Sequence, residues 1–534
     1  MSRYRAATAT FPLLAALCAA LAGPPAVCAQ TPGSHAFVTV IGADTFAVEN
    51  VTRSVGRLEG EITSLSMGRM VYVATLLQDG TVQRLDLQAW MPGADRDGAP
   101  MQHVRMTMRG DSIDMELTGA TGEQRRAIPT RSGATMYLNP SMALIEQLLI
   151  RGRGPEGATV DVPLFLLNGG QTIPATVARP AADSAVVVLG GATMHLAVDG
   201  EGRLLRAEVP AQRLTVTRVD GAHVTAIATE PPDYSAPEGA PYSAEDVVVP
   251  TPMGHVLAGT LTRPHTSAPV PAVVLITGSG SQDRDEAIPT VRGYRPFRDI
   301  ADTLSRQGIA VLRLDDRGFG ASTGDASTAT SADYADDVRA ALAWLRTRED
   351  IDGRRLGLIG HSEGGMIAPM VAATDTLLAG IVLIAGPSRT GRRIIEYQQQ
   401  YAVEHAGTVA PEARDSVLAA ARVQLDEVAA RQPWMGFFLE YDPLPTARRV
   451  RTPVLILQGA TDRQVTADQA GELAAAFREG GNADVAVVVF DDINHLMLRD
   501  SDGDPAGYSS LEDRRVAQEV LEALVDWVTD RLRR

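Results

Sequence analysis

Leu356-Gly357-Leu358-Ile359-Gly360-His361-Ser362-Glu363-Gly364-Gly365-Met366-Ile367-Ala368-Pro369-Met370-Val371 joins a short apolar run to a helical pattern through a G-x-S-x-G pentapeptide. A serine flanked by such glycines fits a sharp strand-to-helix turn, because glycine admits backbone dihedrals that side chains forbid. Such a turn presents the Ser362 hydroxyl at the carboxyl edge of a sheet. A second pentapeptide of the same form, Gly320-Ala321-Ser322-Thr323-Gly324, leads instead into Asp325-Ala326-Ser327-Thr328, which reads as loop. Context therefore selects Ser362 over Ser322 as the candidate nucleophile. The plainer reading is a tight turn without chemistry.

Short continuous apolar runs surround this stretch: Val273 to Ile276, Ile309 to Leu314, Ile381 to Ile384, Val454 to Leu457 and Val485 to Phe490. Runs of this kind suit strands covered on both faces. Helical patterns alternate with them. Phe297, Ile300, Ala301 and Leu304 share one helix face, with Pro296 at its start and Gly308 past its end. Ser331 reads as the cap of the next helix, and a last helix is expected over Glu512 to Leu532. Alternating β and α predicts an α/β domain with a doubly wound, mostly parallel sheet over residues 245–534. An insertion of helical pattern at about 388–447 is expected to form a cap, with Trp434, Met435, Phe437, Phe438, Leu439 and Tyr441 either walling a pocket or packing the cap down.

Upstream the period changes. Met70 to Leu77, Gln78-Asp79-Gly80 and Val82 to Trp90 read as a hairpin, as do Thr193 to Val198 and Arg203 to Val209 around Asp199-Gly200-Glu201-Gly202. Only Pro140 to Arg151 looks helical. Residues 30–229 are thus expected to form a separate antiparallel all-β domain, a sandwich or half-barrel. The proline-rich stretch 230–244 reads as a linker.

A serine nucleophile needs a base, and the base an orienting carboxylate. Asp462 follows the run Val454 to Leu457, and His495 follows the run ending Phe490-Asp491-Asp492, so both belong at the carboxyl edge beside Ser362. The chain order is Ser, Asp, His. Asp491 or Asp492 is the rival carboxylate. His361 is expected to pack below the turn. Two N–H groups must hold the developing oxyanion. One is expected from Glu363, the other from Ser279 in the loop Thr277-Gly278-Ser279-Gly280-Ser281-Gln282-Asp283-Arg284-Asp285, with Gly278 and Gly280 close behind.

Composition narrows the chemistry. All 49 cationic side chains are arginine, which excludes a Schiff-base lysine, a Walker lysine and a Ser–Lys dyad. The two cysteines, Cys18 and Cys28, lie in a segment that reads as a signal peptide over residues 1–29, cleaved near Ala29. A periplasmic or secreted location is expected, without stable membrane insertion after cleavage. A net charge of −16 disfavours nucleic acid. Asp500-Ser501-Asp502-Gly503-Asp504 lacks the glycine and glutamate positions of a calcium loop, so no metal site is assigned.

Four stretches together resemble the α/β-hydrolases: Gly278 to Asp285, Asp315 to Ser322, Gly360 to Gly365, and Gly459 to Asp462 with Asn494-His495. Within that superfamily the chain is similar, over about 245–534, to bacterial serine carboxylesterases of the EstD type, themselves related to serine aminopeptidase-like hydrolases. The resemblance implies a small-molecule ester as substrate and a Ser–His–Asp acyl-transfer site with no cofactor. The family commonly reads histidine-glycine where this chain has Thr277-Gly278. Two other functions stay open on the sequence. One is a peptidase using Glu363, Asp283 or Asp285 to hold an amino terminus. The other is a binding protein whose β domain captures a lipid or glycan. Oligomeric state is not addressed by the sequence.

Overall fold

The computed structural model describes residues 32–533, except 43, 65–67, 91–97, 120–121, 168–169, 190–191, 222–223, 225–231, 406–408 and 410. The expected signal peptide lies outside the described residues, as does the first part of the expected linker.

The N-terminal half is one fifteen-stranded sheet. Its pivot is Gly33–Ile41, which pairs antiparallel with Asp44–Ser54 on one side and Leu214–Asp220 on the other. From the first neighbour the strands step outward in chain order to Gly122–Pro129. From the second they step backward to Thr135–Tyr137, whose pairing with Thr159–Leu166 is parallel. Both expected hairpins are present, Gly68–Leu76 with Val82–Trp90 and Ala192–Val198 with Leu204–Val209.

Among the described residues no second sheet covers the apolar face, so of the two expected forms the half-barrel is the nearer and the sandwich is not seen. The sheet curls round the helix Met142–Arg151, of which Met142 to Leu149 are all buried. Side chains from strands along the whole sheet join that helix in one cluster, among them Phe37, Tyr72, Ile113, Phe165 and Leu196. A helix buried on every side must satisfy its polar groups locally. Ser141 caps its first turn, accepting from the Leu144 N–H at 3.1 Å. The strand residue Glu49 accepts from the Met142 and Ala143 N–H groups at 2.7 and 3.1 Å, from Tyr72 at 2.6 Å and from Ser141 at 2.5 Å. Burial raises the Glu49 carboxyl above its ordinary range, against these hydrogen bonds.

The second sheet has eight strands, in the order Tyr242–Pro250, Val256–Pro264, Ala310–Leu314, Val270–Ile276, Ile351–His361, Gly380–Ile384, Val454–Gly459, Val485–Phe490. The first three pair antiparallel and the rest parallel. Its first strand begins at Tyr242, inside the stretch read as linker. Val273 and Leu275 face one core, with Phe297, Leu304 and Leu524. Ala272, Val274 and Ile276 face the other, with Leu342, Ile367 and Phe477. Helices on both faces explain the unbroken apolar runs.

Two helix boundaries differ from expectation. The last helix spans Gln518–Arg533, because the Val516 and Ala517 N–H groups go to Asp299 and to the Met497 carbonyl instead of to a helical turn. Thr330, not Ser331, caps Ser331–Thr347, in a reciprocal box with Asp333. Ser331 turns inward. Between Gly380–Ile384 and Val454–Gly459 stand the helices Gly391–His405, Arg414–Ala429, Pro433–Glu440 and Pro443–Ala447. No helix among the described residues is long and apolar enough to cross a membrane. The two halves touch where Arg514 pairs with Asp44 at 2.7 Å and Arg213 donates to Ser510 at 3.2 Å.

Glu49→Ala strips the enclosed helix of its strand-borne cap and leaves the Tyr72 hydroxyl without its carboxylate. It should lower the unfolding free energy by about 2–4 kcal/mol in a urea titration.

Candidate active site

The strand Ile351–His361 stops at Ser362, whose φ is +52° and ψ −116°, and the helix Glu363–Ala372 begins at once. Positive φ is costly for a residue with a side chain and persists only where its surroundings impose it. Here the surroundings are backbone. A Cβ on Gly360 would lie 2.1 Å from the Gly364 carbonyl oxygen, and one on Gly364 would lie 2.1 Å from the Ile276 carbonyl oxygen. The glycines at both ends of the pentapeptide are therefore required by close approach. The Ser362 N–H is tied to the Ile384 carbonyl at 2.8 Å.

Asp462 and His495 follow the strands Val454–Gly459 and Val485–Phe490, two and three places along the sheet from the serine. His495 Nε2 lies 3.2 Å from Ser362 Oγ, and its Nδ1 lies 2.8 Å from Asp462 Oδ2. Asp462 is 2% exposed and also accepts from the Gln464 and Val465 N–H groups and from Gln458 Nε2. Four donors on one carboxylate fix its direction. An accepting carboxylate at Nδ1 assigns the ring proton there and leaves the Nε2 lone pair facing Ser362. Asp491 and Asp492, the rival carboxylates, are exposed. Ser322 is buried, accepting from the Ala258 N–H and donating to the Asp315 carbonyl, so its hydroxyl ties the strand Val256–Pro264 to the loop after Leu314.

Among the described residues, neither the Ser279 nor the Glu363 N–H donates to a protein acceptor, and both residues line the cleft with Ser362. Gly278 is different: its N–H is held by Glu286 at 2.6 Å. Thr277, at the position where histidine is common, donates to Asp316 at 2.8 Å, and Asp316 also holds the Gln282 N–H. Burial pushes the Asp316 carboxyl well above its ordinary range.

Three contributors were not apparent from the sequence. His361 does pack below the turn, but between two acceptors: Glu286 Oε1 at Nδ1 and the His495 carbonyl at Nε2, both at 2.9 Å. Two acceptors require both ring nitrogens to carry protons, which makes His361 a buried cation paired with Glu286. Burial works against that charge, but Glu286 and the carbonyl outweigh it and raise the His361 pKa. Glu286 itself is held at φ +55°. The third contributor is the Glu363 side chain. It accepts from Ser331 at 2.6 Å and from Trp434 Nε1 at 2.9 Å, and burial raises its pKa. His361 beside the serine and the acidic run ending at Glu286 were visible, but no spacing connects residues 75 positions apart.

The cleft holds about 300 Å³ and is walled by Trp434 and Phe438 from the inserted helices and by Ile288, Pro387 and Leu496 from the body. Trp434 and Phe438 stack with ring centroids 5.3 Å apart. Leu439 and Phe438 also pack with Met366 and Leu425, so the aromatic stretch both walls the cleft and anchors the insertion. Of the three acidic groups considered for holding an amino terminus, Asp285 is fully buried on Arg313 and Arg295, and Asp283 holds Tyr234 and two N–H groups. Glu363 lines the cleft, as does Glu286. Among the described residues, no three His, Cys, Asp or Glu side chains are grouped to hold a metal ion.

A family model described as serine aminopeptidase, S33, matches residues 293–502. Esterase EstD of Thermotoga maritima is 32% identical over 307 residues, which cover 56% of this chain and 70% of that protein. Dipeptidyl aminopeptidase BIII of Pseudoxanthomonas mexicana is 26% identical over 43% of this chain and 31% of its own length. Among solved structures, an esterase of Pyrococcus furiosus aligns at 18% identity with a TM-score of 0.40, covering 56% of this chain and 94% of that one.

The His361–Glu286 pair carries a pH signature. Because the folded His361 pKa is raised, its contribution is complete below the unfolded histidine value of about 6.5 and is lost as pH rises through the folded value. Glu286→Gln removes the counter-charge. Its stability deficit against the parent should be about 3 kcal/mol near pH 6. The deficit should shrink with rising pH in parallel thermal melts. One that grew with pH would contradict the charged pair.

Proposed function

The chain belongs to the EstD-type α/β-hydrolases, carboxylic ester hydrolases, and from that premise we propose that it cleaves small-molecule esters through an acyl-enzyme on Ser362. Ser362 Oγ attacks the ester carbonyl carbon while His495 Nε2 takes the hydroxyl proton. Asp462 keeps its charge and steadies the imidazolium. The tetrahedral oxyanion is held by the N–H groups of Ser279 and Glu363. Collapse breaks the bond to the alcohol oxygen, which leaves with the proton from His495. Water, deprotonated by the same nitrogen, then attacks the acyl carbon and frees the acid and Ser362. The observation that carries this reading is the line from Asp462 through His495 to Ser362, at 2.8 and 3.2 Å, ending on the one residue of the turn held at positive φ.

The inserted helices at 391–447 serve as a cap that walls the acyl side of the cleft with Trp434 and Phe438. Asp283 and Asp285 are engaged in internal pairs, and the Glu363 carboxyl already accepts from Ser331 and Trp434, which supports ester over aminopeptidase chemistry. The leader-like segment at 1–29 supports export to the periplasm or beyond.

Ser362→Ala should reduce p-nitrophenyl acetate hydrolysis by about a thousandfold or more with an unchanged circular dichroism spectrum. It should also abolish labelling by a fluorophosphonate probe. Retained turnover would remove Ser362 from the mechanism. An aminoacyl anilide turned over faster than the matched ester would favour the peptidase.

A further inference from the structure

Three hollows lie in sequence from the candidate nucleophile to the interior of the N-terminal half. The first is the cleft at Ser362 and His495. The second is a groove of about 710 Å³ between the two halves. Cleft and groove share Ile288, Gln398, Gln464 and Leu496 as walls, so the two volumes adjoin. From the curled sheet the groove takes Ile41, Pro210, Gln212 and Arg213.

The third is a cavity of about 290 Å³ inside the curled sheet, and Gln212 is a wall of both it and the groove. Among the described residues its lining is mostly apolar and none of it is charged: Met142, Leu166, Met194, Val209 and Leu214 wall it, with Thr39, Tyr137, Asn139 and Gln212 adding polar atoms. Apolar walls of this extent gain by being covered with hydrocarbon instead of water. The cavity is also of the size that proteins use to hold small ligands.

We infer that the curled sheet is the far end of the substrate site. It takes the hydrocarbon chain of a long-chain carboxylic ester whose ester group lies at Ser362. This rests on the proposed function of Ser362 and extends it to a substrate class. Apolar walls run the whole way: Ile288, Trp434 and Phe438 line the end where the ester reacts, and Met194, Leu166 and Val209 the end where the chain stops, while Arg213 and Arg463 stand at the groove between them. Each methylene withdrawn from water adds about fourfold to binding, so the cavity converts chain length into affinity.

The test is a p-nitrophenyl ester series from acetate to palmitate on the full chain and on Gln212→Trp. Gln212 is exposed and walls both groove and cavity, so the indole fills the space where they adjoin without entering a core. The ratio of palmitate to acetate kcat/KM should fall at least about tenfold in the variant, mostly through KM. An unchanged ratio overturns the inference. Binding of cis-parinaric acid, read by its fluorescence, is independent of catalysis. It should saturate the parent protein and weaken in Gln212→Trp and in Ile173→Asp, which places a charge in the cavity. If Ser362→Ala left ester turnover intact, the proposed function would fall, yet probe binding would still decide the cavity. Probe affinity equal in all three proteins overturns it, and loss in the two variants supports it.

Discussion

Everything at the site depends on one close backbone contact, the Ile276 carbonyl against Gly364. It holds because the strand Val270–Ile276 pairs in register with Ile351–His361, bringing Ile276 opposite Gly360. With the helix seated that near the neighbouring strand, the chain at Ser362 has no room to turn at negative φ. The same contact delivers the loop after Ile276 to the serine. A Cβ on Gly278 would stand 3.3 Å from the Ser362 Cβ. Proposed nucleophile and proposed oxyanion donors are thus set by a single strand pairing. A second contact of this kind sets the base: a Cβ on Gly459 would lie 2.1 Å from the Ile493 carbonyl, which closes the turn bearing His495 onto the strand end leading to Asp462.

The loop that would bind the oxyanion is held from behind by charge. Arg284 forks onto Asp315 at 3.0 and 2.9 Å, Asp316 holds Thr277 and the Gln282 N–H, and Asp285 is gripped by Arg313 and Arg295. Planar guanidinium groups suit such two-point contacts better than ammonium groups do. Buried pairs of this sort add little net stability, since desolvation offsets attraction, but they tolerate few alternative geometries. This explains why the stretches at 278–285 and 315–322 occur together in the resemblance: each supplies the partners of the other, and neither touches the reacting atoms except through Ser279. An all-arginine complement, which at the level of sequence only excluded lysine chemistries, here supplies the clamps.

The second sheet was legible because strands covered on both faces leave unbroken apolar runs, and the meeting of Ser362, Asp462 and His495 at one edge because each follows such a run. What covers a half-buried sheet was not legible. Alternation in the first 220 residues says that one face is buried, and a second sheet or a curled wall would produce the same pattern. The signal lay in Met142 to Leu149, apolar enough to be enclosed on every side, with Glu146 buried on Arg53 and Arg218. Helix ends failed where two residues had equal local claims. Thr330 and Ser331 are both good caps, and the choice was made by Glu363, which recruits the Ser331 hydroxyl. The His361–Glu286 pair was illegible for another reason: it is a tertiary contact between two residues whose neighbourhoods already had an explanation.

The two halves divide the demands that an ester with a long chain would impose. Chemistry needs donors and a base fixed to a fraction of an ångström, and the edge of a doubly wound sheet provides that because packed helices immobilise both of its faces. Those same helices fill the space a hydrocarbon chain would need. A sheet curled round a single helix has the opposite balance, an apolar concave face with room left beside the helix. Its contacts with the hydrolase half include Asp44 with Arg514 and Arg213 with Ser510, which are polar, and Arg213 also walls the groove. Neither half alone offers both a rigid reactive edge and an apolar volume, and the groove walled by residues of both is where the two requirements meet.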